Sequence, residues 1–237
     1  MAEWITHMMI ADNLLNKGLT ADKIGFCVGN IAPDCNVENE DWTVFTPPKH
    51  VTHWMNGDSK YTVDYEGFYD QYIRNKDFEL NEEYSFYLGY YSHLITDVEF
   101  QKFVRDEQRI KDSFVRIKSD AEMAEKIVGL PEDFDTIKSV FGGRKNVFRD
   151  IAIQEWNYLK EHPDSGYNTV LREICSFPDY LDYLPEGAIM RKIGVMAVEA
   201  PTEIPECKYV FFSKAEFERF VRETSDKIYL ILKKDLL

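Results

Sequence analysis

Cationic residues are scarce in this chain of 237 residues. It contains 28 Lys and Arg against 42 Asp and Glu, which gives a formal net charge of −14 at pH 7. A surface this acidic repels nucleic-acid phosphates and anionic membrane surfaces unless a metal ion or a local basic patch intervenes. We therefore expect no long nucleic acid among its partners, and the composition leaves the oligomeric state open.

Cysteine pairs and long apolar runs are also missing. The four cysteines form no CxxC pair and no zinc-ribbon spacing. No stretch approaches the roughly 20 apolar residues of a membrane span, and Met1–Trp4 lacks the basic and apolar regions of a signal peptide. These absences predict a soluble, cytoplasmic protein with reduced thiols.

Strand patterns are nearly absent, whereas helical periodicity covers most of the chain. Only Lys208–Phe212 is predicted as a short strand. The sequence therefore predicts an all-α fold, a multi-helix bundle with long loops in a single domain. Its metal-site half would span about residues 1–160, and a C-terminal helical extension about residues 165–237.

Caps and periodicity predict where these helices begin and end. Thr20 is the expected cap of the second helix, and Ser213 with Glu216 forms a capping box for the last one. The predicted helices are Ala2–Asn16, Ala21–Val28, Tyr65–Asn75, Tyr84–Phe103, Asp106–Ile127, Phe134–Phe141, Asn146–His162, Tyr167–Ser176 and Lys214–Lys234.

The helix predicted over Tyr84–Phe103 is apolar nearly all round, so it belongs inside the protein. It nevertheless contains His93 and Asp97, whose spacing of four places both side chains on one face. A buried imidazole and a buried carboxylate need compensation. The pair is either a hydrogen-bonded structural pair or two ligands of one metal ion.

Histidine is scarce, and its distribution favours the metal. Of five histidines four lie in the first hundred residues, and His7, His53 and His93 have apolar or aromatic neighbours. Asp34 ends an apolar loop, where it would either cap a turn or point inward. With Asp97, these side chains form a nitrogen and oxygen donor set suited to zinc or a similar transition ion.

Four segments in this order resemble the zinc-dependent phospholipase C and P1 nuclease family. They extend over about residues 5–105, and the closest match is the helix carrying His93 and Asp97. The segments are Thr6–Ile10, Gly29–Asp34, Thr52–Trp54 followed by Gly57-Asp58, and Phe86–Val98.

The resemblance implies a helical bundle with a zinc cluster that hydrolyses phosphoric ester bonds. Transferred onto this chain, it would give Asp34, His53, His93 and Asp97 as ligands of one ion. His7 together with Asp97 would begin a second site.

The chain departs from the family pattern at its third site. Phe103 occupies the place of a further family histidine, and Asn146 that of the histidine in a later HxxxE pair, where Asp150 is the remaining predicted ligand. Trp4 is internal, whereas the family has an N-terminal tryptophan. The resemblance thus implies one or two zinc ions, or another divalent transition metal, rather than three.

The predicted function is metal-dependent hydrolysis of a small phosphoester. Asp34 would orient or deprotonate the attacking water. Trp54 would contact the substrate or pack in the core, and His50 would contact the substrate or lie on the surface. The alternative is a metal-stabilised binding or scaffold protein with a degenerate cluster. An HD-type phosphohydrolase is disfavoured because no histidine here is followed directly by aspartate.

Overall fold

Helices make up most of the computed structural model, which describes residues 2–57, 60–74, 80–142 and 146–235. The all-α prediction is confirmed. The α-helices are α1 Trp4–Asn16, α2 Lys23–Gly29, α3 Lys49–Thr52, α4 Tyr65–Tyr72, α5 Glu82–Val104, α6 Glu107–Lys118, α7 Ala121–Glu125, α8 Phe134–Phe141, α9 Arg149–Glu161, α10 Ala188–Met196 and α11 Lys214–Asp235. A small antiparallel hairpin, β1 Val37–Glu38 with β2 Phe45–Thr46, pairs Val37 with Thr46 and Glu38 with Phe45.

Helix α5 forms the axis of the core, as its sequence predicts. Asn81 caps it by accepting a hydrogen bond from the Tyr84 amide at 2.9 Å. Almost every side chain from Ser85 to Val98 is buried. The buried apolar side chains of the described residues form one cluster that extends from Ala2 to Leu232. The division into a metal-site half and a C-terminal extension stays a prediction.

Helices α2 and α5 pack closely because glycines line their contact. A Cβ atom added at Gly29 would lie 2.0 Å from the Phe86 carbonyl oxygen, and one at Gly89 would lie 2.2 Å from that of Phe26. Such separations are far below van der Waals contact, so any larger residue would force the helices apart. This contact fixes the end of α2 against the middle of α5.

The structure differs from two predictions about the helices, the cap of α2 and the length of the helix after α5. Asp22, not Thr20, caps α2 by accepting a hydrogen bond from the Gly25 amide at 2.8 Å. The stretch predicted as one helix from Asp106 to Ile127 is two, because Asp120 caps a new helix there and accepts from the Met123 amide at 3.3 Å.

The C-terminal part confirms one prediction and corrects others. The Ser213–Glu216 capping box is present, with the Ser213 amide donating to Glu216 Oε2 at 2.7 Å. The predicted strand over Lys208–Phe212 is wrong, since amides in this segment donate to a side chain of α9 instead of to a neighbouring strand. The helix predicted over Tyr167–Ser176 is shortened to a π-helical turn, Tyr167–Leu171, and α10 was not predicted.

No helix within the described residues combines the length and apolar character that crossing a membrane requires. The turn predicted at Gly57-Asp58 lies partly outside the described residues, as does the end of the helix predicted over Tyr65–Asn75.

Candidate metal centre

His93 and Asp97 face the same side of α5, as their spacing predicts. His93 Nε2 lies 3.4 Å from Asp97 Oδ2, and both side chains are fully buried. On the far edge of the ring, Nδ1 of His93 lies 2.7 Å from the carbonyl oxygen of Asn30. A carbonyl can only accept, so Nδ1 carries the hydrogen. In a neutral ring, Nε2 would then offer its lone pair to a metal ion on the side where the carboxylate lies.

The close packing of α2 on α5 places that carbonyl. Asn30 follows α2 directly, and its side-chain amide donates to the Phe26 carbonyl at 2.9 Å, which holds the residue against the helix end. Gly29 allows the approach of α2 to α5 just before Asn30. Gly29 therefore helps to place the Asn30 carbonyl, which sets the tautomer of a histidine 63 residues further along the chain than Asn30.

His53 approaches from a different element, the end of the one-turn helix α3. Its Nε2 lies 3.3 Å from Asp34 Oδ1 and 3.5 Å from Asp97 Oδ2. Its Nδ1 lies 3.0 Å from the Thr52 hydroxyl oxygen. His53 thus bridges two carboxylates that lie 63 residues apart in the sequence.

Asp34 ends a 3₁₀ turn, Ala32–Asp34, that follows α2. Its side chain is 10 % exposed, whereas those of His53 and Asp97 are 0 % exposed. The predicted inward orientation of this carboxylate is therefore the one observed, with Asp34 at the open side of the group.

His7, on α1, completes the arrangement. Its ring stacks on that of His93 with centroids 3.8 Å apart and planes within 2°. Its Nε2 lies 4.0 Å from Asp97 Oδ1, the other oxygen of the carboxylate that faces His53 and His93. Asp97 therefore presents its two oxygens to different histidines.

These five side chains form two overlapping donor groups. One is His7, His93 and Asp97, and the other is Asp34, His53 and His93; in each, the donor atoms lie within 4.8 Å of one another. Ligands about 2.0–2.1 Å from a tetrahedral zinc ion are about 3.3–3.4 Å apart. The three closest histidine–carboxylate separations, 3.3, 3.4 and 3.5 Å, match that edge length. The side chains therefore fit zinc in both kind and spacing.

Asp150 is not brought to either group. Its carboxylate accepts hydrogen bonds from the amides of Phe211 at 2.6 Å and Phe212 at 3.0 Å, and from the Cys207 thiol at 3.1 Å. It is 6 % exposed and anchors the C-terminal segment to α9. Asp150 therefore has backbone and thiol partners in this structure, and its role as a ligand stays a prediction.

The two predicted substrate contacts lie outside the donor groups. His50 is exposed on α3. Trp54 is half-buried, and its indole packs edge-on against Phe68 at 5.5 Å and Tyr72 at 6.0 Å between ring centroids. Their roles as substrate contacts stay predictions.

Sequence reasoning did not single out Glu155. This side chain of α9 is 2 % exposed, and its Oε1 accepts from the Thr6 amide at 3.0 Å and the Thr6 hydroxyl at 2.5 Å. It holds the residue that precedes His7. In the sequence, Glu155 is a carboxylate among the apolar residues of α9, and nothing distinguishes it from an ordinary helix position. Its role becomes visible only when the fold places Thr6 beside it.

A cavity of about 530 Å³ is lined in part by residues of α1, α3 and α5, but by none of the five donors. Three of its lining residues each lie one helical turn from a donor: Trp4 before His7, Phe100 after Asp97, and Lys49 before His53. Aromatic and aliphatic side chains form most of the remaining wall, among them Phe148, Ile151, Trp156 and Met196.

A mostly helical fold that brings three histidines and two aspartates to one place is typical of a metal-dependent protein. Residues 6–99 match the profile of the family described as zinc-dependent phospholipase C. The resemblance inferred from the sequence is thereby confirmed over the segment that supplies all five donors. No curated protein and no solved structure matches the chain.

Proposed function

We propose that this protein is a metal-dependent hydrolase of phosphoric ester bonds, similar in mechanism to a phospholipase C. The observation that carries the proposal is the pair of donor groups sharing His93, with Asp97 turned toward histidines on both sides. A structural zinc site needs one closed set of four ligands. Two overlapping donor groups, with the carboxylate of Asp34 on their more exposed side, are better suited to catalysis.

Each donor has a role in this proposal. Zinc held there would supply Lewis acidity to a phosphoryl oxygen and lower the pKa of a water molecule toward about 7. Asp34, the most exposed of the five side chains, is placed to orient that water and accept its proton. Asp97 holds the three imidazoles together, and the Asn30 carbonyl keeps His93 in the ligand tautomer.

The cavity whose lining includes Trp4, Lys49 and Phe100, each one turn from a donor, is suited to the rest of the substrate. Its volume of about 530 Å³ lies within the range of small-molecule sites. The apolar wall would take an organic substituent, while the charges of Lys49 and Lys138 are offset by those of Glu3 and Glu155. Positive charge for an anionic group would come from a bound cation, which explains how a chain with net charge −14 could hold an anion.

The alternative is a metal-stabilised binding or scaffold protein, and two observations favour it. Phe103 stacks on Phe220 with ring centroids 4.7 Å apart, so it packs against the core. Asp150 binds backbone amides. Both positions at which the family resemblance implies a third metal site are therefore used for structure in this chain.

Zinc content measured together with hydrolysis distinguishes the two functions. We expect at least one zinc ion per chain and turnover of an aryl phosphodiester, an aryl phosphomonoester or a phosphocholine ester. Asp34→Asn should lower turnover by about 100-fold or more, the scale of general-base catalysis. Asp226→Asn is the matched control, since that exposed carboxylate pairs only with Lys17 among the ion pairs described. Bound zinc without turnover of any of the three esters would support the scaffold instead.

A further inference from the structure

Two tyrosines, Tyr183 and Tyr90, link the C-terminal part of the chain to Thr52, the residue that precedes His53. The Tyr183 hydroxyl donates to the Tyr90 hydroxyl at 2.9 Å, and the Tyr90 hydroxyl donates to the backbone carbonyl of Thr52. We propose that Tyr183 is a positioning residue for His53, acting through Tyr90 and Thr52 to keep the imidazole directed at the donor groups. The inference takes the metal site of the proposed function as its starting point.

The segment that carries His53 needs such support. Helix α3 is a single turn, Lys49–Thr52, and isolated helices of that length are unstable. Immediately after His53 the chain enters the left-handed region at Trp54, with φ 52°, a conformation that costs free energy for a residue with a Cβ. Tertiary contacts must therefore supply the order that the turn lacks.

Thr52 is the residue on which these contacts meet. Its carbonyl lies at the C-terminal end of the turn, where a helix leaves carbonyls without an intrahelical donor, and Tyr90 supplies one. Its hydroxyl donates to the Lys49 carbonyl at 3.4 Å, so its oxygen is able to accept the Nδ1 hydrogen of His53 at 3.0 Å. That bond leaves the Nε2 lone pair facing Asp34 and Asp97.

Tyr90 is held rigidly enough to transmit this constraint. It is fully buried on α5, one helical turn before His93. Its ring stacks on Phe68 with centroids 4.5 Å apart. Burial and the neighbouring Tyr183 hydroxyl raise the pKa of the Tyr90 phenol well above its ordinary value. The phenol therefore stays neutral and keeps donating to Thr52 across the working pH range.

Tyr180 offers a matched control in the same segment. Its hydroxyl donates to Glu82 Oε1 at 2.8 Å, a bond of similar length that does not involve Thr52 or His53. Replacing either tyrosine with phenylalanine removes one hydroxyl and keeps the ring. If the Tyr183 hydroxyl only stabilised the fold, the two substitutions should have the same effect on zinc affinity.

Zinc affinity, measured by competition with a chelator, tests the proposal. We expect Tyr183→Phe to weaken zinc binding by about tenfold, the lower end of the effect of removing an outer partner of a ligand, while Tyr180→Phe changes it less than about twofold. Tyr90→Phe should weaken binding at least as much. Because Tyr183 acts through Tyr90, the double variant should bind no more weakly than Tyr90→Phe. Equal affinities for Tyr183→Phe and Tyr180→Phe, or additive losses, would overturn the inference.

The ¹⁵N shifts of the His53 ring in metal-free protein give a second readout. The wild type should show the Nδ1–H tautomer, and Tyr183→Phe should show an increased share of Nε2–H. An unchanged tautomer would contradict the positioning role of Tyr183. This measurement separates the two proposals. A protein that binds zinc and hydrolyses nothing would defeat the proposed function while the His53 shifts still decide the role of Tyr183.

Discussion

Residues 6–99 and residues 106–235 bury charged side chains in different ways. In the first region histidine and aspartate donors face one another, with separations of 3.3 to 4.0 Å. In the second, Asp150 accepts from two backbone amides, and Arg109, 1 % exposed, donates to the carbonyls of Phe103, Val104 and Phe211. A buried charge surrounded by backbone dipoles stabilises the fold, whereas donors that converge on each other are arranged for a cation.

Arg109 shows how the second region supports the first. Burial lowers the pKa of its guanidinium to about 10, so it remains charged at neutral pH. It donates to the carbonyls of Phe103 and Val104 at the end of α5 and to that of Phe211 in the C-terminal segment. The helix that carries His93 and Asp97 is thereby fixed at its C-terminus by residues outside the segment similar to the phospholipase C family.

The largest expected effect comes from the contact of α2 with α5. Gly29→Ala would place a Cβ atom 2.0 Å from the Phe86 carbonyl oxygen, so we expect a loss of about 3 kcal/mol in the free energy of unfolding, the upper end of overpacking costs. Zinc affinity should fall as well, because Asn30 would move away from His93. Denaturant unfolding and chelator competition measure the two effects.

Gly194→Ala is the control for that substitution. No atom lies within 4 Å of a Cβ built at Gly194, in α10, so alanine there should stabilise the protein by about 0.5–1 kcal/mol. If Gly29→Ala kept both the stability and the zinc affinity of the wild type, the glycine contact would not be what positions the Asn30 carbonyl.

The next effect tests the contrast between the two regions directly. Asp150→Asn should lower the free energy of unfolding by about 2 kcal/mol, because an amide cannot accept from both backbone amides and the Cys207 thiol as the carboxylate does. Zinc stoichiometry should not change. Loss of zinc in this variant would show that Asp150 is a ligand and that the two regions do not differ in this way.

The sequence allowed more of the site to be predicted than of the fold around it. The spacing of His93 and Asp97 needs only helical geometry, and the helix that carries them was predicted within two residues at its N-terminus. Glu155 could not be found in this way, because its importance depends on Thr6, 149 residues away. The strand prediction over Lys208–Phe212 is wrong because the backbone of this segment bonds to Asp150, a long-range partner that local periodicity cannot report.

The smallest expected effect concerns the hairpin that follows Asp34. Hydrogen bonding to Arg191 first, and then to Lys192, lowers the pKa of Glu38 from its ordinary value of 4.5 to about 2. Because the folded pKa is depressed, the stability from this pair is present above about pH 4.5 and is lost as the pH falls toward 2. Glu38→Gln should therefore show a shallower fall in melting temperature over that window than the wild type. Parallel curves for the two proteins would show that the ion pair contributes nothing.

Zinc content of the wild type and of Asp97→Asn, determined by elemental analysis after dialysis, tests the central claim most directly. Asp97 is the carboxylate that faces all three buried histidines, at 3.4, 3.5 and 4.0 Å. The account predicts one or two zinc ions per wild-type chain and their loss from a folded Asp97→Asn variant. A wild type that retains no transition metal, or a variant that retains as much zinc as the wild type, would contradict it.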